Sequence, residues 1–372
     1  MKRGATTLSC LIGVQKPSGC SSHDVVSAVR RVSGERRVGH TGTLDPFARG
    51  VLPLMLGPAC RLDAFMVGHS KVYDVSIAFG YATSTADIQG EIIESAPCSE
   101  QLLQRSFARE LLQSFVGTQQ QQPPVYSAIS VGGTRAYVLA RKGVDVCIPK
   151  RTIEVYSAQL LACEQRIFPG FSHAVTTWSV RFHVSKGTYI RSLAQDVGKR
   201  AGCCAFAAEL TRVRVGTIGL DQCVALEQLS NISADEPIPG MLDPVQALQF
   251  PVIELSSQQL TRVLCGNELS LRACSVSDCK VRETPALETE NASAGAPEIA
   301  NASAGAPEPV FASAGTSAPQ LAPQPAPMPV SRYYSLVAYT NGARVLQAIY
   351  KAADDSPYLR AQCVFAQGVC CP

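Results

Sequence analysis

Asp45 is the single acid in residues 39–53, GHTGTLDPFARGVLP, and the residues around it are those of a tightly held loop. Gly39, Gly42 and Gly50 flank it, and glycine permits positive φ and close backbone approach. Pro46 pushes the acid toward extended geometry and away from helix. A carboxylate presented this way, with His40 and Arg49 close in sequence, has the makings of a held catalytic group. The same local pattern also fits an ordinary Asp-Pro turn. Partners from elsewhere in the chain must decide between the two.

Two segments offer such partners. Residues 71–79 alternate, with Tyr73, Val75, Ile77 and Phe79 on one face and Asp74 and Ser76 on the other. That predicts a strand with Tyr73 facing the core at its leading end. Trp178, Val180, Phe182 and Val184 predict a second strand, followed by a turn at 185–188. A helix then carries the apolar stripe Ile190, Leu193 and Val197. Arg191 falls in its first turn, where the positive end of a helix disfavours a cation. A cation there calls for an anion beside it.

The elements that would position these groups are readable in part. Residues 11–14 read as a buried strand and 16–19, KPSG, as a turn. Ser21 and Asp24 then form a capping-box pattern ahead of Val25, Val29 and Val32. Arg30, Arg31, Arg36 and Arg37 lie just before the Asp45 loop, where phosphate contact is expected. A helix is predicted from Ser99 to Gly117, carrying Leu103, Phe107, Leu111 and Phe115.

The run GHTGTLDPFARGVLPLMLG resembles the signature of the TruB-type pseudouridine synthases, in which the aspartate is the nucleophile. Further segments resemble the family in order. KPSG begins the match and brings Lys16 to the substrate side. The K-x-Y segment gives Tyr73, implied to stack on the target uracil and to share in proton transfer. GYATSTADIQG matches through Thr83, Thr85, Asp87 and Gly90 and departs at Ser84 and Gln89; Asp87 is implied to lie near the catalytic arginine. QQQQPPVYSA retains Pro123, Pro124, Tyr126, Ser127 and Ala128. SKGTYIRSLAQDVG implies that Arg191 pairs with Asp45, LTRVRVG places Leu210 beneath the uracil, and His40 is associated with base flipping.

The resemblance implies isomerisation of uridine-55 to pseudouridine in the T-loop of tRNA. The base is cut from the ribose at N1, turned and rejoined through C5, so nothing is oxidised and no group is carried. No cofactor and no metal is therefore expected, and tRNA, through its T-arm, is the expected partner of a monomer. A different class remains open: a non-catalytic RNA-binding or tRNA-folding module on the same scaffold. A nucleotide hydrolase using the glycine loop would require a lysine and Ser/Thr at fixed offsets, which are missing.

The fold implied by the resemblance is α/β (α+β), with a mixed, mainly antiparallel central sheet and flanking helices. Pattern alone gives strands and helices interspersed. Residues 1–249 are expected to form the catalytic domain. Residues 250–282 and 331–372 are expected to form a small, β-rich, PUA-like RNA-binding domain. Between them, 283–330 carries the repeat NASAGAPE and nine prolines from 285 onward, so no packed core is expected there.

Bulk properties agree with a globular RNA-binding protein. The net charge is +3, but residues 281–330 hold one basic residue, Arg282, and five acids, leaving +7 on the rest. No stretch of about 18 apolar residues occurs, so no membrane span is expected. Lys2-Arg3 with the apolar residues 8–14 has the order of a secretory signal, but the run is short and lacks a cleavage site. A cytoplasmic protein is expected. The fifteen cysteines show no C-x-x-C spacing and no nearby histidine cluster, so they read as small buried hydrophobes.

Overall fold

The computed structural model describes residues 8–127, 129–144, 146–230, 238–277, 333–340, 342–352 and 358–372. The repeat-bearing insertion expected at 283–330 lies outside the described residues.

Strand β1 (Cys10–Lys16) leads to helix α1 (Ser22–Ser33). The expected capping box is present: the Ser21 side chain accepts from Asp24 N–H while the Asp24 carboxylate accepts from Ser21 N–H. Strands β2 (Val38–His40) and β3 (Arg49–Leu56) bracket the Asp45 loop. Strand β4 (Lys71–Phe79) follows, then helix α2 (Arg105–Gln113), strand β5 (Gly117–Gln121) and the long strand β6 (Arg151–Arg166). Strand β7 (Val175–Val184), helix α3 (Ile190–Arg200) and strand β8 (Ala205–Val215) complete the principal layer.

These strands form one large sheet in the order β1-β3-β8-β4-β7-β6-β5, with Val224–Ala225 beside β1. Every pair along β1 to β5 is antiparallel except β3 with β8, which is parallel over Thr211↔Arg49 and Arg212↔Gly50. The sheet is mixed and mainly antiparallel, as the resemblance implies. β4 lies at its centre and is covered on both faces. Tyr73, Val75, Ile77 and Phe79 share one cluster with Trp178, Phe182, Leu193 and Val197, so α2 and α3 cover that face. The polar residues on the opposite face are paired: Arg181 forks onto Asp74 with two bonds of 2.7 Å, and Ser76 donates to Glu209.

The helix predicted from Ser99 is shorter than expected. Ser99 caps a single 3-10 turn, Glu100–Leu103, and Gln104 is extended before α2 begins at Arg105. Leu103 is exposed, while Leu102 fills the core in its place.

A second sheet of six strands gathers β9 (Val252–Glu254), β10 (Leu269–Ser270), β11 (Val276–Ser277), β12 (Tyr333–Thr340), β13 (Ala343–Ala352) and β14 (Tyr358–Cys370). It is the β-rich C-terminal unit expected from sequence. It does not stand alone: Val252, Leu346, Ile349 and Phe365 share a cluster with Leu11, Val51, Met55 and Val215 of the large sheet. Burial of this joint apolar face resists separation of the two sheets. Among the described residues no helix is long and apolar enough to cross a membrane.

Candidate active site

The loop that carries Asp45 is pinned on both sides of the acid. Ser22, in the first turn of α1, donates its hydroxyl to Leu44 O at 3.1 Å and accepts from Leu44 N at 2.9 Å. On the other side, Pro46 O accepts from Gly19 N at 2.8 Å and from Lys16 Nζ at 3.3 Å. The apolar neighbours Leu44, Phe47 and Ala48 sink into the cluster that holds Tyr73 and Leu210. The acid between them therefore has little freedom to wander.

Two of the glycines have positive φ, Gly42 at 102° and Gly50 at 110°. Gly50 also has no room for a side chain, since a Cβ there would stand 2.2 Å from Arg212 O. Arg212 is buried and anchors the loop from β8, donating from Nε to Val51 O at 2.8 Å and from Nη2 to Gly42 O at 3.1 Å.

Arg191 meets Asp45 from α3. Its Nη2 donates to Oδ1 at 3.1 Å, and its Nε lies 2.8 Å from Oδ2. The Nε–H is not aligned for a hydrogen bond, so this second approach is a charge contact and Nη2 carries the directional bond. Nη1 donates to Thr85 O and Nη2 also to Tyr126 O, each at 2.8 Å. Asp87 adds a second carboxylate, its Oδ2 3.4 Å from Nη1. The Arg191 side chain is 4% exposed and Asp87 7%, whereas Asp45 keeps 33%. Of the two acids, Asp45 is the one open to solvent. The cation at the helix start thus has the anions its position calls for.

Asp87 is held in a turn, accepting at Oδ1 from Thr85 Oγ1 at 2.7 Å and from Gln89 N at 3.0 Å. Burial pushes its carboxyl above the usual range, against the lowering effect of these bonds and of Arg191. Gly90 closes the turn where a Cβ would strike Thr85 N at 2.7 Å, which explains the glycine of that motif.

Tyr73 and Leu210 sit in the same cluster as Leu44, both buried. The same cluster holds Phe47 and Ala48, which follow the acid in sequence. His40 is half-buried at the end of β2, its Nδ1 enclosed without a partner. Burial first, and then Arg212, lowers its pKa, so the ring is neutral at neutral pH. Lys16 is fully buried, and its Nζ donates to Pro17 O at 2.8 Å, Cys20 O at 2.7 Å and Pro46 O at 3.3 Å. Three donors meet three carbonyls, so Lys16 faces the loop from beneath. Burial is also what lowers its pKa most.

Sequence reasoning did not single out Ser22, Arg212 or Gln121. Each is a buried polar side chain satisfied by backbone groups, and no sequence pattern marks them out from their polar neighbours. Among the described residues no group of His, Cys, Asp or Glu could hold a metal ion, and the cysteines are free thiols. What remains is a carboxylate steered by a guanidinium, on a loop whose flanking residues are buried in an apolar cluster. Such a site can supply a nucleophile or a base to a flat, uncharged ring.

Comparison with known proteins gives this geometry its family. Residues 30–190 match the family described as TruB family pseudouridylate synthase, N-terminal domain. The chain is 39% identical over 264 residues to tRNA pseudouridine synthase B of Geobacillus thermodenitrificans, covering 70% of this chain and 85% of that relative. It is 38% identical over 286 residues to the Thermus thermophilus protein of the same name, covering 71% and 88%. Its fold resembles that in the crystal structure of the archaeal box H/ACA sRNP Nop10-Cbf5 complex, with TM-score 0.58, 18% identity and coverage of 95% and 85%. The chain belongs to the TruB family of pseudouridylate synthases, and is an isomerase.

Proposed function

We propose that the protein converts uridine to pseudouridine in tRNA, and that the uridine is position 55 of the T-loop. The relatives it matches over most of their length are named for action on tRNA. The observation that carries the reading is the contact of Asp45 with Arg191, where a partly open carboxylate meets a buried guanidinium.

In this reading the target uridine leaves its stack, at a cost of a few kcal/mol that a looped RNA lowers. His40, neutral and close to the Asp45 loop, fills the vacated space. The base lies on Tyr73 above Leu210, where an aromatic face offers stacking without sequence choice. Asp45 adds to the substrate, at the uracil ring or at C1′ of the ribose, and the N1 glycosidic bond breaks. The base turns, C5 bonds to C1′ and the bond to Asp45 breaks, which restores the carboxylate; the proton then lost from C5 is matched by one taken up at N1.

Arg191 pairs with Asp45 and aims it, and Asp87 keeps Arg191 in register. Lys16 acts on the substrate through the loop it supports, by holding Pro46. The C-terminal sheet, with residues 250–282 and 331–372, serves as a PUA-like module that grips tRNA beyond the T-loop. Residues 1–249 carry the chemistry, and one chain supplies the whole site.

The test is the pattern of pseudouridines in tRNA from cells that lack the protein. Loss confined to position 55, restored by the intact gene, supports the reading. Retention of that pseudouridine overturns the choice of position, and RNA binding without any uridine turnover favours the non-catalytic module.

A further inference from the structure

Four glutamines occupy positions 119–122, yet only Gln121 is fully buried, at 1% exposure. It ends β5, which is an edge strand of the large sheet. Its side-chain amide closes on the backbone of Tyr189 in both directions. Oε1 accepts from Tyr189 N at 2.8 Å, and Nε2 donates to Tyr189 O at 2.9 Å. Only one orientation of the amide satisfies both, so the side chain is fixed. Tyr189 is the N-cap of α3, and Arg191 stands two residues further on.

The same stretch of chain touches the helix start twice more. Ser192 Oγ donates to Gln122 O at 2.7 Å, and Arg191 Nη2 donates to Tyr126 O at 2.8 Å. Tyr189 has no side-chain bond capping the helix; its carbonyl accepts from Leu193 N at 3.0 Å within α3 as well as from Gln121, while its amide donates outside the helix, to Gln121 Oε1. A helix start left free to fray would move the guanidinium through the backbone that carries it. Asp45 reaches Arg191 from a separate, independently pinned loop, so a shift of either one opens the contact between them.

We propose that Gln121 is a positioning residue for the reaction: its paired bonds to Tyr189 fix the first turn of α3 and thereby the aim of Arg191 at Asp45. This rests on the reading of Asp45 and Arg191 as the reacting pair. Gln121 touches backbone rather than substrate, so its loss affects the reactive step and leaves RNA binding in place.

The experiment compares wild type with Gln121→Met, which keeps the volume and removes both bonds, and Gln121→Glu, which keeps only an acceptor for Tyr189 N–H. Asp45→Asn is measured beside them. Single-turnover rates and dissociation constants are read on a T-arm RNA with tritium at uridine C5. Gln121→Met is expected to lose roughly 10- to 100-fold in rate, as angström-scale misplacement of a reacting group does, with the dissociation constant within about threefold. Gln121→Glu is expected to fall between Gln121→Met and wild type, and it carries the test if the methionine variant does not fold. A folded Gln121 variant at full rate, even one of lowered melting temperature, overturns the proposal. Full rate in Asp45→Asn would instead overturn the assignment of the pair.

Discussion

Arg191 Nε lies 2.8 Å from Asp45 Oδ2 although the two residues are 146 positions apart, one on a glycine-rich loop and the other in the first turn of a helix. The guanidinium is buried while the carboxylate is one-third open. The cation is therefore enclosed by the protein, and the acid is the group open to solvent. Its remaining N–H groups are taken up by Thr85 O, Tyr126 O and the facing Asp87.

Arg191→Lys tests the need for that fork. An ammonium is a point charge on a flexible stem and cannot reach the acids and both carbonyls together. Turnover of T-arm RNA is expected to fall about 100-fold, with RNA affinity within about threefold, because the loss is in aim rather than contact area. A rate near wild type would show that charge alone suffices.

Lys71 gives a pH signature. It is buried at the start of β4, with Nζ donating to Val67 O and His69 O. Burial, with Arg212 and Lys186 adding to it, lowers its pKa from 10.5 to about 8. The unfolded chain takes up this proton near 10.5 and the folded protein only near 8. Stability is therefore lost as pH falls through that window and is constant below it. In denaturant titrations the stability of wild type relative to Lys71→Met should fall by about 2 kcal/mol between pH 10.5 and 8, a figure reduced for partial solvent access. A flat difference across the window would contradict it.

Gly50→Ala tests the fit of the Asp45 loop against β8. The added Cβ would meet Arg212 O at 2.2 Å, from a backbone at φ 110°. A loss of roughly 2–4 kcal/mol is expected, with reduced turnover in the folded fraction. Gly34→Ala is the control, since Gly34 has positive φ but nothing within 4 Å of where its methyl would stand. It should cost about 1 kcal/mol and leave turnover unchanged. Equal costs at the two positions, by urea titration, would remove the steric argument.

How far these features could be read from sequence depends on what kind of partner each residue has. The Asp45 loop was legible because positive φ leaves glycines, and the alternation of β4 and β7 was legible because a buried face demands it. Arg191 was legible as a cation at the wrong end of a helix. Ser22, Lys16, Arg212 and Gln121 bond to backbone groups, which every residue possesses, so no pattern names their partners. Ser99 misled because a cap marks where a turn begins but not how long it runs; the extended Gln104 breaks the run after one 3-10 turn. The shared core of the two sheets was hidden as well, since periodicity tells which face is buried but not what covers it.

The most direct measurement is release of tritium from C5 of uridine in T-arm RNA by Asp45→Asn. This change keeps the size of the side chain and removes its charge. Release is expected to disappear while RNA binding persists, as the change removes the charge of one side chain and leaves its bulk. Undiminished release from the folded variant would contradict the claim that this carboxylate performs the reaction.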